Sequence, residues 1–130
     1  MDISLLEQGN IIFEKSLNLS KEEIAQYLDA VGDHSSVYLE EAKIPPLAIL
    51  AQAMSEAMTE ITLPPGSVHT SQEIELEGSV SLGTVVGCIC TISSNVVRNG
   101  ARFLILEFQG VVDNCLLFKA KTTLVVTEVL

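Results

Sequence analysis

Between Pro45 and Ile61 the chain is apolar on nearly every side, and soon after it the hydrophobic period changes from helical to two. That juxtaposition restricts the fold more than any other feature. Leu47, Leu50, Ala51, Met54, Met58 and Ile61 recur at helical spacing and predict one stripe. Ala48, Ile49, Ala53 and Ala57 spread apolar character well beyond it, leaving Gln52, Glu56, Thr59 and Glu60 as a narrow polar edge. A helix of that kind is mostly buried, and its small residues let a sheet approach closely. Pro45 and Pro46 suit its start, where the first turn has no use for their missing N–H groups. Pro64-Pro65-Gly66 ends it.

Beyond that break, Val68, Thr70, Gln72, Ile74 and Leu76 alternate with His69, Ser71, Glu73, Glu75 and Glu77. This spacing predicts a strand, with His69, Ser71, Glu73 and Glu75 on one solvated or interfacial face. Three more extended runs follow, Thr84 to Val97, Arg102 to Val112 and Leu116 to Val129, parted by turns at Asn99-Gly100 and Asp113-Asn114. Asn-Gly is the stronger hairpin signal of the two. Upstream, Ile11 to Leu19 predicts a first strand. Ser20 and Glu23 form a capping box opening a helix on which Ile24, Tyr27, Leu28 and Val31 face inward, and Gly32 ends it. The order is strand, helix, buried helix, four antiparallel strands. One sheet can wrap one buried helix in that order, an α+β two-layer domain.

The chain of 130 residues is one domain's worth, spanning 1–130. Aromatic residues are scarce, so the core must be built from Val, Ile, Leu, Ala and Met. No apolar run reaches the length of a membrane span. The start carries Asp2 and Glu7 and no basic segment leading into an apolar one, so no signal peptide is expected and a cytoplasmic location is the default. Cys88, Cys90 and Cys115 are odd in number and lack companion ligands, which predicts core packing rather than a disulfide framework or a metal site. A net charge of −10 argues against nucleic acid and anionic membranes as partners. An anionic ligand would need local cations, for which Lys43, Arg98, Arg102, Lys119 and Lys121 are candidates, or helix N-termini.

The element order is that of the hot-dog fold, a five-stranded antiparallel sheet around a long central helix. Ala30-Val31-Gly32-Asp33-His34-Ser35-Ser36-Val37-Tyr38 resembles the signature of the MaoC-like (R)-specific enoyl-thioester hydratases and dehydratases, a helix ending in Gly-Asp followed by Asn-Pro-x-His. Ile44-Pro45-Pro46 resembles the Ala-Pro-Pro that opens the central helix in one branch, and His69-Thr70-Ser71-Gln72 its His-x-x-Gln strand. Leu82-Gly83-Thr84 matches the Pro-x-x-Gly-Asp turn in part. The resemblance covers roughly residues 12 to 128.

In active members an Asp and a His act together on one water, adding it to or removing it from a thioester-conjugated double bond. A backbone N–H at the start of the central helix polarises the thioester carbonyl. The resemblance places Asp33 at the Asp and Tyr38 at the His, with Ser35 and Ser36 in place of Asn-Pro. Adjacent His34 is the one nearby imidazole and a candidate substitute. The resemblance also sets Ser36, Pro46, Leu47 and Met54 along the bound substrate, and it implies no cofactor and no metal. The segment before Pro45 is shorter than the family's usual loop. Tyr at the His position resembles the non-catalytic N-terminal half of paired dehydratases, which holds substrate for a catalytic sibling. A phenol is a poor base near neutral pH and a good hydrogen-bond donor, so binding survives the exchange more easily than catalysis.

Three functions follow from these residues. The first is an acyl-CoA- or acyl-carrier-protein-binding homodimer, with a catalytic hot-dog sibling as an additional partner. The second is an active hydratase or dehydratase using Asp33. The third is a thioesterase using Glu56 on the central helix, against which stands the plainer reading of Gln52, Glu56 and Glu60 as a solvated edge. Dimerisation follows from the fold, since one hot-dog leaves its groove half-built and its sheet edge open.

Overall fold

A computed structural model describes residues 2–127, with the side chain of Leu39 left aside. Strand β1 (Ile11–Leu17) leads into helix α1 (Lys21–Val31), the four-residue helix α2 (Val37–Glu40) and the two-residue strand β2 (Lys43–Ile44). Helix α3 (Pro46–Glu60) follows, then β3 (Val68–Leu76), the two-residue β4 (Val80–Ser81), β5 (Val86–Arg98), β6 (Ala101–Val112) and β7 (Cys115–Thr127). The last strand was expected to reach Val129, which lies outside the described residues. The main sheet has the order β1-β5-β6-β7-β3, antiparallel at every junction, while β2 and β4 pair separately. The expected α+β architecture is therefore observed, with α2, β2 and β4 added between the anticipated elements.

Local chemistry accounts for the boundaries. Ser20 Oγ accepts from the Glu23 N–H and Glu23 Oε1 from the Ser20 N–H, both at 3.1 Å, so two orphan donors at the start of α1 are satisfied. Gly32 sits in the left-handed region at φ 73°, and the Asp33 N–H donates back to the Leu28 carbonyl, closing the helix. Asn99 and Gly100 both have positive φ, as do Asp113 and Asn114, which matches the hairpin turns whose twist suits their strands.

The core lies between α3 and the inner face of the sheet. Register sets inner side chains in rows that cross the strands: Phe13, Cys90, Phe108, Ala120 and Ile74 form one. Lys15, Cys88, Gly110, Phe118 and Leu76 form the next. Large rings thus alternate with small residues, as interior packing requires. At Gly110 a Cβ would run into the buried Phe118 ring.

Two helix expectations need correction. On α3 the face against the sheet is Ile49, Leu50, Ala53 and Ala57, continued by Ile61, whereas Leu47 and Ala51 are exposed and Met54 and Met58 half-buried. The alanines allow the close approach, and the longer Leu47, Met54 and Met58 side chains turn to one flank. On α1, Ile24 and Leu28 are buried but Val31, in the last turn, is exposed.

Backbone bonds join the N-terminal segment to β5, from the Gly9 N–H to the Ile92 carbonyl at 2.8 Å and from the Ile92 N–H to the Asn10 carbonyl at 2.9 Å, and one side chain adds to them. Asn95 Nδ2 donates to the carbonyls of Ile3 and Leu6, each at 2.8 Å, and Asn95 Oδ1 accepts from an Arg102 guanidinium N–H at 2.8 Å. Asn95→Ala strips three hydrogen bonds from a partly buried site and is expected to cost about 1–3 kcal/mol in denaturant unfolding. Gly110→Ala overpacks the Phe118 ring and should cost about 1–3 kcal/mol in the same measurement. Burial pushes the Cys88 and Cys90 thiols up to about 12, while Cys115 is exposed. A colorimetric thiol reagent at pH 8 (well below those values) should therefore titrate Cys115 alone in the native protein, and all three cysteines once it is unfolded.

Candidate functional site

The end of α1 delivers Asp33 to a half-buried position just past the left-handed Gly32. One carboxylate oxygen accepts from the Ser35 N–H at 2.9 Å, and Ser35 Oγ accepts from the Val37 N–H at 3.3 Å. These two short-range bonds turn the chain into α2 without the Asn-Pro of the resembled signature. Ser36 is exposed, and its hydroxyl donates to Glu40 Oε1 at 2.9 Å, so it is engaged within α2. His34 is exposed, with no hydrogen bond or ion pair among the described residues. Tyr38, on α2, is half-buried and packs against the core.

Tyr27, read from the sequence as a core position, belongs to this cluster. Burial raises its phenol above the ordinary range, and the neighbouring Tyr38 phenol and Asp33 carboxylate raise it further. The structure thus brings Asp33 and Tyr38 into one electrostatic neighbourhood with a second phenol. The only sequence signal for Tyr27 was its place in the last two turns of α1 before Asp33, where periodicity assigns any large residue to packing.

The four residues expected along a bound substrate divide. Pro46 occupies the first turn of α3 and, with Ile44, Ile49, Leu76, Gly78, Val80, Leu117 and Phe118, lines a narrow apolar recess beneath it. Ser36 stands apart from that recess on α2. Leu47 and Met54 lie along the open flank of α3, Leu47 exposed and Met54 packed against the core. No side chain caps the N-terminus of α3; Pro46 has no N–H, and the Ala48 N–H donates to the Pro45 carbonyl at 3.0 Å.

Glu56 lies on the other flank. It accepts from Lys15 Nζ at 2.8 Å, and Glu60 stands 3.6 Å from the same ammonium. Lys15 is paired in register with Cys88, which sets it on the inner face at the β1 edge. The acidic edge of α3 is thus held against that edge by a shared cation, which raises the Lys15 ammonium through its hydrogen bond to Glu56.

His69 also falls differently from its expected place. The register shifts between His69 and Ser71, so His69 pairs with Leu124 on the α3 side of the sheet, where it is exposed as a solvated position should be, while Ser71 pairs with Thr123 on the other face. Gln72, Ile74 and Leu76 share its inner face, where β3 is the sheet's edge. Among the described residues no group of three or more His, Cys, Asp or Glu could hold a metal ion, and no helix is long and apolar enough to cross a membrane.

No protein-family model matches this sequence, and no curated protein matches it. Solved structures do resemble its fold. The (R)-hydratase from A. caviae involved in PHA biosynthesis superposes with a TM-score of 0.73 at 16% identity, over 92% of this chain and 96% of that one. The monoamine oxidase regulatory protein from Archaeoglobus fulgidus gives 0.78 at 7% identity, over 100% of this chain and 98% of the other. The truncated (3R)-hydroxyacyl-ACP dehydratase HadBC complex from Mycobacterium tuberculosis gives 0.67 at 19% identity, over 91% and 96%. The chain therefore has the hot-dog fold. A MaoC-like dehydratase from Rhodospirillum rubrum, TM-score 0.67 at 12% identity, is also among the similar structures.

The two tyrosines of the chain allow a direct test of the cluster. In a Tyr38→Phe background, tyrosinate absorbance against pH reports Tyr27 alone and should rise above the ordinary phenol range. Adding Asp33→Asn removes the carboxylate charge and should bring that midpoint down, short of the ordinary value because burial persists.

Proposed function

We propose that this protein is a MaoC-like hot-dog module that binds acyl-CoA or acyl-carrier-protein thioesters without hydrating them itself. One observation carries the reading. Past the end of α1, half-buried Asp33 is followed by a half-buried Tyr38 packed against the core beside Tyr27, and the nearby imidazole, His34, is exposed. A carboxylate and an imidazole can divide the two proton transfers that hydration needs, whereas a phenol near neutral pH donates a hydrogen bond and holds its proton. Tyr38 in this role hydrogen-bonds the thioester, and Asp33 orients it or a bound water. At the uncapped start of α3 the Leu47 N–H is the donor offered to the thioester carbonyl, and the Leu47 and Met54 flank offers an apolar wall for the chain.

The same flank supports dimerisation. Strand β3 pairs with β7 on one side and is open on the other, and the half-covered row of α3 stands beside its inner face. A second copy, or a related hot-dog sibling with an intact histidine, would extend the sheet and close the groove. The similar structures include two heteromeric complexes, HadBC and ChsH1-ChsH2, both from Mycobacterium tuberculosis.

The test compares crotonyl-CoA and saturated acyl-CoAs. Acyl-CoA should raise the melting temperature, by an amount growing with the logarithm of ligand concentration, while enoyl absorbance stays constant and no thiol is released. Tyr38→His supplies the missing base and should create measurable hydration that Asp33→Asn abolishes. Hydration by the unmodified protein that Asp33→Asn abolishes would instead establish an active hydratase. No thermal response to any acyl thioester would sink the binding reading.

A further inference from the structure

The groove along the Leu47, Met54 and Met58 flank changes character from one end to the other. Pro46 and Ile49 share the apolar recess with Leu76, at the end of β3. Residues 61–67 connect the end of α3 to Val68, at the start of β3. Helix and strand therefore run in opposite directions along the groove. From the mouth inward, the β3 side chains on its floor are Leu76, Ile74, Gln72 and His69. Two apolar residues are followed by two polar ones, both exposed at the open sheet edge.

Behind Gln72 stands a third polar group. Register pairs Gln72 with Thr122 on β7, in the inner row that continues to Leu106 and Ile92. Thr122 is 0% exposed, and its hydroxyl has no hydrogen-bond partner among the described residues. A valine has the same shape and leaves nothing unpaired, so an unpartnered threonine costs stability here. Cross-strand neighbours stand about 5 Å apart at Cβ, within reach of the Gln72 carboxamide. That group both donates and accepts, so it can turn one end to Thr122 and the other to the groove. A chain that closes the β3 edge would also take Gln72 and His69 out of water, and polar groups so enclosed require partners. A plain hydrocarbon offers none.

The spacing sets the length of the occupant. Leu76 to Gln72 is four steps of strand, about 13 Å. Leu47 to Met58 is eleven steps of helix, about 16 Å. An extended chain gains about 1.2 Å per bond, so an atom roughly eleven bonds beyond the mouth lies level with Gln72. We infer that this groove takes an acyl thioester of about ten to twelve carbons whose far end carries a hydroxyl, held by Gln72 and through it by Thr122. This rests on the acyl-thioester reading above and adds the chemistry of the chain's remote end.

Calorimetric titration of the full chain tests it with three ligands. They are dodecanoyl-CoA, the same thioester hydroxylated on its terminal carbon, and the same thioester hydroxylated on its third carbon. The terminal hydroxyl should tighten binding about tenfold over the plain chain, because the plain chain leaves the polar end of the groove unpaired. A hydroxyl on the third carbon should not match it. Thr122→Val should raise the melting temperature of the unliganded protein and shrink the preference, and Gln72→Leu should reverse it, with far-UV circular dichroism confirming that each is folded. Equal or tighter binding of the plain chain by the unmodified protein overturns the inference while leaving thioester binding in place. Absence of binding by all three ligands overturns both. A preference that persists undiminished in folded Gln72→Leu and Thr122→Val also overturns the inference, since the hydroxyl then binds elsewhere.

Discussion

The structure depends on how closely α3 approaches the sheet. Ala53 and Ala57, both 0% exposed, form the middle of that contact, with Ile49 and Leu50 beside them. Their lack of side-chain bulk lets the helix settle among Phe13, Phe108 and Phe118, which rise from a floor of Cys90, Gly110 and Ala120. Burial of this kind is the main favourable term in a domain with few buried polar contacts. Once the alanine face is down, the rotation of α3 is settled. Glu56 and Glu60 then meet Lys15 on the β1 side, and the Leu47, Met54 and Met58 flank is left to the other.

That rotation orders the chemistry. Glu56 and Glu60 share the Lys15 ammonium at the β1 edge, while Asp33 lies at the end of α1 and Pro46 at the start of α3. Asp33 retains one oxygen beyond its turn-forming bond to Ser35, and the Tyr27 phenol stands in its field.

Much of this was legible in the residues. The five strands, the two longer helices, the capping box at Ser20, the Gly32 stop and both hairpin turns follow from periods and from local backbone preferences, which act over a few residues. The neighbourhood of Asp33 and Tyr38 was legible through the resemblance of the Gly32–Tyr38 run. Tyr27 was not, because an aromatic residue on a helical stripe has the same periodic signature whether it packs or binds. His69 was assigned to the wrong face because a single bulged residue at Thr70 reverses the alternation, and no composition cue announces it.

The sequence by itself determined where each element starts and stops, that one apolar helix must be wrapped by a period-two sheet, and that a phenol stands where a related signature carries an imidazole. Tertiary structure decided which face of α3 meets the sheet, that Lys15 claims Glu56, that Tyr27 joins Asp33, and which inward side chains align into rows. The division has a physical cause. Periodicity and capping are local, whereas close packing, ion pairing and cross-strand register couple residues dozens of positions apart, and only the folded chain brings those into contact.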